Sequence, residues 1–183
     1  MKTQSTALYV LRLAVTLLLI TGVMAALLAG VNVITKPIIE KIQEEKTQKA
    51  IEAVLPGGGE AIEFDAAANP NVTAVYASNA GYAVQVTPSG FDGTITMMVG
   101  IDKEGNVLGI SIISHTETAG LGAVAAAENS AGEAFRTQFV GASGCVAVEK
   151  DGGEIAAITG ATITSRAVSE GVNYALTCVA GLN

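Results

Sequence analysis

Between Arg12 and Lys36 the chain carries 23 consecutive uncharged residues, Leu13 to Thr35, dominated by Leu, Ala, Val and Ile. As a helix rising ~1.5 Å per residue the run extends about 35 Å, enough to cross a hydrocarbon layer of about 30 Å with some tilt. A secretion signal is the other reading of an N-terminal apolar stretch, but its apolar part covers only about 7–15 residues and ends at a small-residue cleavage site. Here the run is longer and passes directly into a charged helix, Lys36 to Val54. Residues 1–35 therefore read as an uncleaved transmembrane anchor. Charge does not orient it. Lys2 and Arg12 stand on one side, Lys36, Lys41, Lys46 and Lys49 on the other, and the interleaved acids Glu40, Glu44 and Glu45 weigh little in the positive-inside rule.

The chain beyond the anchor is long enough for one domain of ordinary size. The charge is divided unevenly. Residues 1–34 carry +2, from Lys2 and Arg12, and the remainder holds 8 basic and 17 acidic side chains, for −9. So acidic a domain repels nucleic acid and anionic lipid headgroups, which removes both as binding partners. Cys145 and Cys178, 33 positions apart, form no metal-binding spacing, and His115 is the sole histidine. Iron–sulfur and zinc sites need about four such ligands, so the chain builds neither alone. The cysteines read as two buried apolar thiols.

Pro37 suits the first turn of a helix, where its missing N–H costs nothing. Ile38, Ile39, Ile42, Ile51, Val54 and Leu55 recur at near-helical spacing, giving a stalk helix with a packing stripe that ends at Pro56 and Gly57-Gly58-Gly59. Residues 36–59 thus form a juxtamembrane stalk and linker, and 60–183 the domain. Within it the pattern turns to period two. Val72, Ala74 and Tyr76 share one face, as do Tyr82, Val84 and Val86, and then Ile95, Met97, Val99 and Ile101. Asp102-Lys103-Glu104-Gly105-Asn106 reads as a hairpin turn into Val107–Ile113. An antiparallel meander results, with one face in the core and one in solvent. A helix within 124–140, short strands near Cys145–Val148 and Ile155 around a turn at Asp151-Gly152-Gly153, and a helix from about Ser165 to Val179 complete an α+β domain. Val168, Val172, Ala175, Leu176 and Val179 form the buried face of that last helix.

Ahead of the last helix stands Thr159-Gly160-Ala161-Thr162-Ile163-Thr164-Ser165. By residue type alone two readings stand. Gly160 and Ala161 let backbone and ligand approach closely, and a helix N-terminus presents free N–H groups suited to phosphate. Alternatively the segment is a hydroxyl-rich cap, with Thr164 or Ser165 satisfying the first-turn amides.

The segment matches the flavinylation motif (Ser/Thr)-Gly-Ala-Thr-x-(Ser/Thr)-(Ser/Thr) of FMN-binding domains in respiratory complexes. Some forty residues earlier, His115-Thr116-Glu117-Thr118-Ala119-Gly120-Leu121-Gly122 resembles their H-x-E-T-P-G-L-G segment, and the strand-rich stretch 81–113 also looks like theirs. Nearly the whole chain, anchor included, resembles the G subunit of the Rnf ion-translocating ferredoxin:NAD oxidoreductase. The related C subunit of the sodium-pumping NADH:quinone reductase shares the domain but is usually longer, and a flavin subunit of that reductase or of another membrane redox system is the alternative that the resemblance leaves. The resemblance implies an electron-transfer subunit with FMN joined through its phosphate to the Thr162 hydroxyl, installed from FAD by a separate flavin transferase. It implies an FMN site formed by Thr159, Gly160, Ala161, Ile163, Thr164 and Ser165 on one side. On the other stand Glu117, Thr118, Gly120, Leu121 and Gly122. It also implies polytopic and iron–sulfur partner subunits, and a domain on the outer face of the cell membrane. Three positions depart from the family pattern. Ala119 stands where Pro is usual, Ala156 where an Asp precedes the motif, and Thr159 where Ser is common. His115 reads as a satisfied structural histidine. The rival without redox chemistry is a membrane-anchored assembly protein whose Thr-Gly-Ala-Thr string merely caps a helix.

Overall fold

The computed structural model describes residues 3–182, so Met1, Lys2 and Asn183 lie outside it. The chain divides into two compact units, Met1–Glu45 and Lys46–Asn183. Helix α1 runs unbroken over Thr3–Val54 with Pro37 inside it. The expected helix start at Pro37 is therefore not there: the helical backbone continues through the proline, forgoing one hydrogen bond. In the first unit the apolar side chains from Leu8 to Ile42 are exposed, including Ile38, Ile39 and Ile42, which the sequence assigned to a packing stripe. The helix is long and apolar enough to cross a membrane.

In the second unit the residues of α1 from Lys46 onward do pack. Ala50, Ile51, Val54 and Leu55 are buried against Ala83 and Met98, with Tyr76 and Ile113 at the margin. The helix stops at Val54, and Gly57 and Gly58 turn the chain away with φ of 91° and 70°, a region that favours glycine.

Five antiparallel strands come next: β1 (Glu60–Ile62), β2 (Val72–Ala77), β3 (Gly81–Val86), β4 (Thr96–Asp102) and β5 (Val107–Ser114), paired in chain order. The hairpin between β4 and β5 forms where expected, and Asp102 Oδ1 accepts from the Asn106 amide at 2.7 Å. Two readings need correction. A register irregularity between Val72 and Ala74 puts Val72 and Val75 on the buried side in place of Val72, Ala74 and Tyr76, because one extra residue in a strand reverses the alternation beyond it. Nor is one sheet face left to solvent. β3 and β4 bury Val84, Val86, Met97, Val99 and Ile101 on one side and Ala83 and Met98 on the other. Gly100 sits where an added Cβ would come within 2.2 Å of the Val54 carbonyl oxygen, which is why the α1 end can lie so close to β4.

The main core lies on the opposite face. The helix expected within 124–140 forms as α2 (Ser130–Thr137), and a 3-10 turn at Gly122–Ala126 precedes it. Asn129 caps α2 by accepting from the Gly132 amide at 3.0 Å. Arg136 ties the turn to it by donating to the carbonyls of Ala125 and Ala127 at 2.7 and 3.0 Å. Phe139 is fully buried, edge-on to Phe135 at 5.4 Å between ring centroids.

Cys145–Val148 and Ile155 meet in a single parallel bridge, Val148 to Ile155, in place of two short strands. The Asn173 side chain takes over strand pairing for Val146, donating to its carbonyl and accepting from its amide, both at 2.8 Å. Helix α3 covers Thr162–Ala180, starting three residues earlier than the sequence suggested, and buries Val168, Val172, Ala175 and Val179. Leu176 is only partly buried. Of the two free thiols Cys178 is buried, which raises its pKa, whereas Cys145 is exposed, against expectation.

Candidate functional site

Four segments meet at the N-terminus of α3 and line a cleft of about 340 Å³, within the usual size range for ligand sites. The first is the motif itself. Gly160 takes φ +78°, the Ala161 amide donates to the Ile158 carbonyl at 2.9 Å, and the helix opens at Thr162. Its cap residue is Ala161, with no side-chain cap. The amides that begin α3 thus have no side-chain acceptor, and Thr162, Ile163 and Thr164 line the cleft, where a helix start favours an anion.

The motif hydroxyls have separate jobs. Thr162 is partly exposed and lines the cleft. Thr164 is buried and donates to Glu117 Oε2. Ser165 is buried too: it accepts from the Ile158 amide at 3.0 Å and donates to the Ala161 carbonyl at 2.9 Å. Neither Thr164 nor Ser165 caps α3, which removes the plain-cap reading of this string.

The second segment is the loop after β5. Glu117, Thr118, Leu121 and Gly122 line the cleft, while Gly120, at φ +77°, only turns the chain. Thr159 and Ser165 do not reach the cleft either. His115, expected to be satisfied, has its Nδ1 buried with no hydrogen-bond partner. Gly160 is favoured by its φ of +78°, and a Cβ there would stand 3.0 Å from the movable Cδ2 of Leu121.

The third segment is one that the sequence did not single out. Lys150 lies in a 3-10 turn, Glu149–Asp151, and its ammonium donates to Thr162 Oγ1 at 3.2 Å. The neighbouring Asp151 carboxylate receives a paired hydrogen bond from Arg166, Nε to Oδ2 and a terminal nitrogen to Oδ1, both at 2.6 Å. Thr162 and Arg166 are four apart on α3 and so lie on one helix face. The turn is thus fixed along that face by two adjacent contacts, and the second holds Lys150 beside Thr162. The hydrogen bond from Arg166 lowers the Asp151 pKa below 3.8. Phe91, from the loop before β4, supplies the fourth segment and lines the cleft with an exposed ring. The missed signal was tertiary: nothing in a Glu-Lys-Asp-Gly-Gly turn announces that its lysine will meet a threonine twelve residues on.

Residues 90–177, which hold every segment of this cleft, match the FMN-binding domain family. The chain is 32% identical to the G subunit of the Na(+)-translocating ferredoxin:NAD(+) oxidoreductase complex of Acetobacterium woodii, over 91% of this chain and 90% of that one. It is 30% identical to the G subunit of the ion-translocating oxidoreductase complex of Methanosarcina acetivorans, over 90% and 92%. The chain belongs to the G-subunit family of ion-translocating oxidoreductase complexes. A shorter match, 39% identical over 52% of this chain and 51% of the relative, is to the G subunit of the proton-translocating ferredoxin:NAD(+) oxidoreductase complex of Clostridium ljungdahlii. Relatives named for different ions thus fall in the same family.

The cleft residues of this G-family chain suit the group that the domain name implies. Uncapped amides and Lys150 supply anion-binding donors. Phe91, Leu121 and Ile163, 66%, 43% and 49% exposed, supply an apolar wall for a planar ring.

Proposed function

We propose that this chain is the covalent FMN carrier of an ion-translocating ferredoxin:NAD oxidoreductase of the Rnf type, with the flavin joined by a phosphoester to Thr162. The observation that carries the reading is the Thr162 hydroxyl, placed at the first residue of α3, on the cleft, with the Lys150 ammonium 3.2 Å away. In the attachment reaction a flavin transferase supplies FAD. The Thr162 oxygen forms the new phosphorus–oxygen bond, the pyrophosphate bond breaks, AMP departs and the hydroxyl proton is released.

Lys150 and the α3 amides would hold the phosphodiester, and Gly160 would let the backbone come close to it. Leu121, Ile163 and Phe91 would supply the apolar contacts for the ring. Bound FMN supplies the one- and two-electron redox chemistry; the chain supplies position and electrostatics. A covalent link suits a domain on the outer face of the membrane, where a free cofactor diffuses away. The chain contains no iron–sulfur ligand set of its own, so electrons reach and leave the flavin through partner subunits, polytopic and iron–sulfur, anchored beside it through 1–35.

Co-expression with a flavin transferase tests the reading. Wild-type protein should fluoresce under ultraviolet light after denaturing electrophoresis, and the Thr162 peptide should gain the mass of FMN less one water. Thr162→Ala should remove both signals at a stability cost of at most ~1 kcal/mol. Covalent flavin that persists in Thr162→Ala and vanishes in Thr164→Ala would move the attachment point.

A further inference from the structure

Glu117 is the acidic side chain that the described structure buries, at 7% exposure. A buried carboxylate without partners is unstable, so its donors matter. It has three. Oε1 accepts from the backbone amides of Phe91 and Asp92 at 2.9 and 3.1 Å, and Oε2 accepts from the Thr164 hydroxyl. These donors come from the loop before β4 and from the first turn of α3, which are 25 to 47 residues away in sequence. The neighbouring Thr116 fastens the same loop by donating to the Asp92 carbonyl at 2.6 Å.

The carboxylate is tightly fitted on the sides of Gly90 and Gly122. A Cβ on Gly90 would stand 2.3 Å from Oε1, and one on Gly122 would stand 2.5 Å from both Oε2 and the Thr164 oxygen. Glu117 therefore spends its acceptors on protein donors in a fitted slot. The loop that it fastens carries Phe91, and the helix turn that it fastens begins with Thr162.

We propose that Glu117 is a positioning residue. It latches the Phe91 loop to the first turn of α3, so that the aromatic wall and the acceptor hydroxyl are held as one rigid piece. It acts through those two segments, since both carboxylate oxygens accept from them. The proposal rests on the reading of Thr162 as the FMN attachment point. It also explains why two motifs so far apart in sequence occur together: Glu117 of one is the hydrogen-bond acceptor for Thr164 of the other.

The test uses the full chain in mild detergent, expressed with and without a flavin transferase, as wild type, Glu117→Gln, Glu117→Ala and Thr164→Val. Without flavin, hydrogen exchange at the Phe91 and Asp92 amides should accelerate about tenfold or more in Glu117→Ala, the effect of losing hydrogen bonds to a carboxylate. Thr164→Val should show a smaller acceleration. Glu117→Gln should stay near wild type, because the amide oxygen still accepts from the loop while its nitrogen donates to the Thr164 oxygen.

With flavin, the mass of the Thr162 peptide reports attachment and fluorescence anisotropy reports how firmly the ring is held. Glu117→Ala and Thr164→Val should lose anisotropy while keeping the added mass. Unchanged exchange in both variants overturns the latch, as does wild-type anisotropy in both once they carry flavin. A wild-type chain without the added mass overturns the attachment reading instead, and the exchange arm then judges the latch by itself. If Glu117→Ala fails to fold, Thr164→Val decides the matter, since it removes one hydroxyl and leaves the carboxylate in place.

Discussion

Gly122→Ala probes the packing of the cleft with a single methyl group. The new Cβ would stand 2.5 Å from Glu117 Oε2, 2.5 Å from Thr164 Oγ1 and 2.9 Å from Glu117 Cβ. None of these atoms is the free end of a flexible side chain, because Glu117 and Thr164 are buried and bonded to each other. The methyl must therefore push the pair apart. Overpacking a tight interior costs about 1–3 kcal/mol, and losing a hydrogen bond to a carboxylate adds roughly 1.5–3 kcal/mol. Together they give about 2.5–6 kcal/mol, which for a chain of this size lowers the midpoint of thermal unfolding by roughly 5–20 °C. Calorimetry on the full chain in detergent measures it. Gly109→Ala is the control, because a Cβ there meets open space. If Gly122→Ala melts together with wild type and with Gly109→Ala, the close packing of Gly122, Glu117 and Thr164 is wrong.

Lys150→Ala should slow flavin attachment several-fold in a time course followed by in-gel fluorescence, and Lys150→Arg should restore most of the rate, since a cation beside Thr162 favours the incoming phosphate. Full-length chain should stay with the membrane through carbonate extraction, and release at high pH would remove the anchor from the reading of Leu13–Thr35. The Asp151–Arg166 pair gives a pH dependence of known sign. Arg166 holds the folded Asp151 pKa below 3.8, so the pair stabilises above that value and its contribution is lost as pH falls through the lower folded pKa. Denaturation midpoints of wild type and Arg166→Gln should therefore differ most near neutrality and converge in acid. Divergence on acidification would refute the assignment.

The parts legible in the sequence are those that short-range pattern controls. The apolar run and the β4–β5 hairpin are contiguous, so composition and spacing expose them, whereas the Thr159–Ser165 string stood out through its family resemblance. The sheet faces were harder to read. A bulge between Val72 and Ala74 hides from strict alternation, and β3 and β4 are covered on both sides by elements that lie far apart in the chain. Pro37 misled because helix rules place proline at a first turn, whereas α1 simply continues through it. The start of α3 was set too late because hydroxyl residues read as a cap, while the structure uses Thr164 and Ser165 for tertiary bonds. The roles of Lys150, Asp151 and Phe91 were hidden for a related reason. They arise only when separate loops meet, although Asp151 lies in the turn that the sequence marks at Asp151-Gly152-Gly153.

The crowding around Glu117 has a consequence for how this family can vary. Gly90, Gly122 and Thr164 touch one carboxylate from three sides. A side chain at either glycine demands that the carboxylate retreat, and a shorter acid at 117 would leave its donors without a partner. Drift at any one of these four positions is therefore blocked until another changes with it. The four should be inherited as a block, since a shortened acid alone admits no side chain: a Cβ at Gly122 also meets Thr164 Oγ1 at 2.5 Å and Glu117 Cβ at 2.9 Å, and one at Gly90 meets the Gly93 carbonyl oxygen at 2.9 Å.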